Sequence, residues 1–161
     1  MDEERLLKLA DLVEDAPREN FNMAVWKYQS PACGTVCCAI GTGVEAGLFP
    51  EIVLKAMETG DCTTYQIIHD DLAEFDAVAK VLGITYEEAV YLFAVGSYTS
   101  IGFYRTIDEY VINASDITPK QVADKIRTFV YERRLKNAPD QKDRTRVLEG
   151  STHSPVREAV T

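Results

Sequence analysis

A chain of 161 residues, 46% of them apolar, has the size and the core material of one domain and little room for two. Its net charge of −9 is uneven: positions 1 to 118 carry 7 Lys and Arg against 20 Asp and Glu, so the body repels nucleic acid, whereas positions 119 to 161 carry 10 against 6. Met1 to Lys8 are acidic where an export signal needs a basic start, and apolar runs such as Ala89 to Val95 fall short of the roughly 20 residues that cross a bilayer, so a soluble cytoplasmic protein is expected.

Leu6, Leu9, Ala10 and Val13 recur at helical spacing behind Asp2, Glu3 and Glu4, which suit the positive end of a helix dipole. They predict a first helix that stops before Pro17. Phe21, Met23, Val25, Trp26 and Tyr28 alternate in part, but Pro31 and Gly34 follow closely, so a packed turn or short helix is expected there. Thr35 is placed to cap a second helix running from Val36 to about Ala46 and closed by Gly47. Ala39, Gly41, Gly43 and Ala46 give that helix no broad apolar stripe, so close backbone approach must hold it as a central buried element. Pro50 opens a further helix through Ile52, Val53, Ala56 and Met57 toward Gly60.

Leu72, Phe75, Val78, Ala79 and Leu82 draw one apolar face between about Asp71 and Gly83, a left-handed stop. Thr85 and Glu88 have the spacing of a capping box, with Ala89, Leu92 and Phe93 on the buried side and Gly96 at the close. Ser97 to Asp116 shows no clean period beyond a short helix around Ile107, Tyr110 and Val111. Thr118, Pro119 and Gln121 form a second capping box, and Val122, Ile126, Phe129 and Val130 carry a long last helix to about Leu135. Beyond Asn137 charged and small polar residues dominate, and ordering them would cost entropy that no burial repays. The sum is an all-α domain over 1–137, a compact bundle of about five to seven helices around the small-residue central helix, with a flexible charged tail over 138–161.

Between Trp26 and Gly41 the sequence reads Trp-Lys-Tyr-Gln-Ser-Pro-Ala-Cys-Gly-Thr-Val-Cys-Cys-Ala-Ile-Gly. Gly34 relaxes a turn, Thr35 caps a helix, and small thiols and alanines let that helix pack against Trp26 and Phe21. With these residues the chain resembles a loosely defined set of small bacterial and phage proteins that open with an amphipathic helix, pass a Phe-Asn-Met-like stretch and a tryptophan, and enter a Cys-Gly-Thr-x-x-Cys-Ala-x-Gly helix. Here Phe21 to Met23, Trp26, Cys33, Gly34, Thr35, Cys38, Ala39 and Gly41 carry the likeness, which extends to Leu82, Gly83 and Ile84 and to Glu88, Ala89, Leu92 and Phe93. The resemblance implies a helical fold and a bacterial or phage origin, and brings no reaction with it. Cys37 departs from the pattern.

A thiol at a helix N-terminus is activated by the free amides there, so Cys33 and Cys37, with His69 as base and Asp70 or Asp71 as its orienter, are the candidates for a thiol-dependent enzyme. A papain-like Cys-Gly-Ser-Cys echo fails in its spacing and lacks the preceding Gln-Gly. Cys33, Cys37 or Cys38, Cys62 and His69 are the candidate ligands of a small metal-stabilised module, but a strong zinc signature needs two tight pairs, and buried reduced thiols are the plainer expectation. Gly41-Thr42-Gly43 lacks the lysine of a P-loop and the strand and spacing of a dinucleotide fingerprint, so no cofactor is expected. Glu87, Glu88, Asp70, Asp71 and Asp76 fall where helix starts and solvated faces want negative charge. Tyr98, Phe103 and Tyr104 beside Arg105 suit either a recognition loop or satellite core packing. The leading expectation is therefore a nonenzymatic protein-interaction factor, accessory or inhibitory, docking on a protein partner through an acidic helical surface, without a membrane and without direct nucleic-acid binding by its body. No oligomeric state follows from the sequence.

Overall fold

Thr63, Thr64, Tyr65, Ile67 and Ile68 form a run of β-branched and aromatic residues suited to a pleated strand. In the computed structural model, which describes residues 1–31, 34–59, 61–98 and 116–138, this run is strand β4 (Cys62–His69). It joins β1 (Lys27–Ser30), β2 (Gly34–Cys37), β3 (Val53–Thr59) and the short β5 (Leu72–Ala73) in one antiparallel sheet of order β2-β1-β4-β3. Lys27 lies opposite both Cys37 and Tyr65, and Val53 opposite Ile68. Ala73 also pairs with Ile68, so β5 continues the edge of β4 along which β1 runs.

Five described α-helices accompany the sheet: α1 (Glu3–Glu14), α2 (Ala39–Glu45), α3 (Glu74–Leu82), α4 (Tyr86–Phe93) and α5 (Pro119–Asn137), with short 3-10 turns at Arg18–Asn20 and Val95–Tyr98. The all-α bundle expected from the sequence is thus corrected to a mixed α/β domain. The helix expected from Val36 starts only at Ala39, because Thr35 and Val36 pair with Gln29 and Tyr28 as strand. Cys38, not Thr35, caps it: the Cys38 Sγ accepts the Gly41 N–H at 3.5 Å. The helix expected from Pro50 to Gly60 is β3, and the supposed apolar face does not bury as one, since Ile52 is 6% exposed while Val53 is 61% and Met57 45%. The stretch ending at Tyr28, expected as a turn or short helix, leads into β1, which finishes before Pro31 would withhold a ladder N–H.

Alternation along the ladder puts Ile67, Leu54 and Cys37 on one face and Ile68, Val53 and Val36 on the other. Ile67 is fully buried and Leu54 packs on the core, so the helices cover the first face. Leu9 of α1, Ile40 of α2, Val78 of α3, Leu92 of α4 and Ile126 of α5 meet Ile67 in that single core, all fully buried. Gly47 (φ 73°) and Gly83 (φ 61°) close α2 and α3 in the left-handed conformation, each with the paired hydrogen bonds of a Schellman motif. Thr85 and Glu88 exchange both bonds of a capping box, and so do Thr118 and Gln121.

The chain divides into two compact units, Met1–Val130 and Tyr131–Thr161. The first holds the sheet and this core; the described part of the second is the end of α5, where Tyr131 and Leu135 are exposed. The expected flexible tail beyond 138 and most of the Ser97 to Asp116 stretch, Phe103, Tyr104 and Arg105 included, lie outside the described residues. No described helix is long and apolar enough to cross a membrane.

Candidate docking groove

Trp26, the sole tryptophan of the chain, is positioned from α2. The Cys38 N–H donates to the carbonyl oxygens of Val25 at 3.0 Å and Trp26 at 3.3 Å. Gly41 lies against the same peptide so closely that a Cβ there would stand 1.9 Å from the Trp26 carbonyl oxygen, and a Cβ on Gly43 would stand 2.6 Å from the Phe49 ring. Gly41 and Gly43 are therefore contact surfaces for neighbouring backbone and a ring. Asn22 fixes the approach to Trp26, donating its N–H to the Cys37 carbonyl oxygen at 3.0 Å and accepting the Ala24 N–H at 2.9 Å.

So held, the half-buried indole meets Phe75 edge to face at 5.0 Å between centroids, and Phe75 meets Tyr86 in the same manner at 6.4 Å. Met23 to Trp26 form one wall of a groove of about 250 Å³, Glu74 and Phe75 the second, and Phe93 to Val95 the third. Its volume falls below the roughly 300 to 1,000 Å³ of small-molecule clefts, and its walls carry almost no hydrogen-bonding side chains.

Among the described residues, Glu74 is the single ionisable one lining the groove. It opens α3 at a φ of 53°, a left-handed conformation that costs a residue other than glycine about 1 to 3 kcal/mol. Among the described residues no ion pair neutralises Glu74, Asp76 beside Phe75, or Glu87 beside Tyr86, whereas on α1 Glu4 pairs with Lys8 and both Asp11 and Glu14 pair with Arg127. Of these three, Glu74 lines the groove, and Asp76 follows the lining residue Phe75 in α3.

The third wall is braced from α5. Lys125 Nζ donates to the Ser97 carbonyl oxygen at 2.7 Å and to Ser97 Oγ at 2.9 Å, and stands 4.0 Å and 4.3 Å from the ring centres of Tyr98 and Tyr91. Rings and carbonyl favour the ammonium, but burial pushes it down to about 8. Burial also pushes the Tyr98 phenol up. Sequence reasoning passed over Glu74, Lys125 and the exposure of Phe75; a lysine spaced as Lys125 is within an amphipathic helix gives no sign of the rings it will meet.

The residues expected to carry thiol or metal chemistry are dispersed. Cys37 lies in β2, 7% exposed, its thiol pushed up by burial to about 11, and Cys38 is raised by the same cause to about 12. From Cys37 the ladder crosses Lys27 to Tyr65, so His69, two strands over and four residues on, is roughly 16 Å away. His69 Nδ1 donates instead to the Glu51 carbonyl oxygen at 3.1 Å, with Nε2 3.6 Å from Asp70. Cys62 and His69 stand at opposite ends of β4, roughly 23 Å apart and on opposite faces, so they cannot share an ion. The Cys62 Sγ accepts the Tyr28 hydroxyl at 2.8 Å, Gly34 and Thr35 belong to β2, and Cys33 lies outside the described residues. Among the described residues no cluster of three or more His, Cys, Asp or Glu could hold a metal. Comparison of the chain with known protein families, with curated proteins and with solved structures gave no match.

Proposed function

We propose that this chain is a nonenzymatic protein-interaction module, an accessory or inhibitory factor that docks on a basic protein surface through the acidic side formed by the starts of α3 and α4. The groove walled by Trp26, Phe75 and Phe93 carries this reading, because it is mainly apolar, open to solvent and lined by Glu74, which no ion pair neutralises among the described residues. An apolar seat ringed by charge is the common anatomy of a docking surface: the seat supplies affinity and the charge supplies steering. The thiols support no competing chemistry at Cys37 or Cys38, whose burial keeps them protonated at neutral pH.

Affinity capture from a lysate of the source organism tests the reading when wild type is compared with the triple variant Glu74→Gln, Asp76→Asn, Glu87→Gln. A protein held by wild type, lost by the triple variant and released in 1 M salt, where the screening length is about 3 Å, is the expected result. Equal retention by both, or none by either, overturns it. A thiol probe at neutral pH that labels any cysteine faster than a free thiol would redirect the reading to a thiol-dependent enzyme.

A further inference from the structure

Groove size, groove polarity and the charge at its rim together specify an occupant. The three walls leave room for about one large side chain, and the lining is mainly ring edges, methyl groups and the Met23 thioether, surfaces that pair with an aliphatic or aromatic group, with Glu74 as its charged member among the described residues. Trp26 and Phe75 keep part of their apolar surface in water, and covering such aromatic surface is what makes a residue pair dominate a binding site. A residue adjoining the anchor in an extended peptide reaches Glu74, which lines the groove. A second carboxylate brought there would be repelled, and so would a phosphate backbone.

We infer that the groove beside Trp26 seats one bulky apolar side chain of a partner peptide, and that a lysine or arginine next to that anchor pairs with Glu74. The assignment rests on the reading of the chain as a protein-interaction module and names the chemistry of its partner. The strained backbone at Glu74 fits this role. Glycine would adopt φ 53° at less cost but would present no carboxylate at the groove.

A display library of short random peptides lacking tryptophan tests the assignment, because Trp26 is then the sole source of indole emission in the mixture. Enriched peptides are expected to carry Leu, Ile, Met or Phe beside Lys or Arg, and to shift the Trp26 emission to the blue as they saturate. Glu74→Lys should weaken them by about tenfold or more, with Glu74→Gln between it and wild type. Ala24 is exposed on the first wall, so Ala24→Arg should fill the mouth without disturbing the core, and binding should be lost. Enriched peptides that leave the emission unmoved, ignore both substitutions or show no cationic preference overturn the groove assignment while the module reading stands on the lysate capture. A library that yields no binder overturns it as well, and the capture then decides the broader reading separately.

Discussion

At Gly41 the absence of a side chain has a measurable value. Its hypothetical Cβ would sit 1.9 Å from the Trp26 carbonyl oxygen, a backbone atom that cannot rotate away, whereas nothing lies within 4 Å of the corresponding point at Gly96. Alanine at position 41 must therefore push α2 off the segment that carries Trp26. Overpacking of this kind costs about 1 to 3 kcal/mol, and more where backbone meets backbone. Denaturant unfolding should place Gly41→Ala at or above that loss and Gly96→Ala within about 0.5 kcal/mol of wild type. Equal midpoints for the two variants would show that α2 is free to move and that the motif does not hold the groove wall. Gly41 and Trp26 are legible in the sequence as a small residue and a large one close together. Phe75 and Phe93, their partners across the groove, lie far along the chain on helices whose periodicity marks them only as apolar, so the groove itself is not legible.

Elements whose stability is local were read correctly, and those whose stability comes from distant partners were not. α1, α3, α4 and α5 announce themselves through capping residues and a 3.6-residue period contained within each segment. Thr85 and Thr118 illustrate the point, since each satisfies an amide three residues away. Replacing either with alanine should cost about 1 kcal/mol. The Thr85→Ala loss should be recovered by serine and not by valine, and recovery by valine would mean that shape rather than the capping bond matters. β1 and β2 have four residues each and no internal bonds; Lys27 finds its ladder partners at Cys37 and Tyr65. β3 satisfies two periods at once, because Ile52, Val53, Ala56 and Met57 fit a helix while Val53, Lys55 and Met57 share a strand face. Only its pairing with β4 decides between them. The signal for that pairing was present in the β-branched run Thr63 to Ile68 after Gly60 and Asp61, a two-residue hairpin sequence that an all-helical reading leaves without weight.

On the scale of the whole molecule, charge is sorted by position. On α1, Glu4 pairs with Lys8 and both Asp11 and Glu14 pair with Arg127, at the start of α3 no ion pair neutralises Glu74 or Asp76 among the described residues, and the half-buried Lys125 ties α5 to the turn that follows the third wall. That buried amine and the buried thiols make stability depend on pH in opposite senses. Lys125 titrates near 8 in the folded chain against an ordinary 10.5, so between those values the unfolded chain holds the extra proton and this group's contribution to stability rises with pH. Cys37 and Cys38 titrate at about 11 and about 12 against an ordinary 9.0; their contribution is intact below pH 9 and is lost as pH climbs through the folded values. A wild-type pH profile mixes the two. Subtracting the profile of Lys125→Met removes the thiols, which both proteins share, and the difference in thermal midpoint should move in favour of wild type from pH 8 to pH 10. A difference that stays flat, or moves in favour of the variant, would show that the tyrosine rings and the Ser97 carbonyl hold the ammonium more strongly than burial opposes it. The brace on the third wall would then be a fully charged contact, and weakening the rings, by Tyr91→Leu, should loosen the groove at neutral pH.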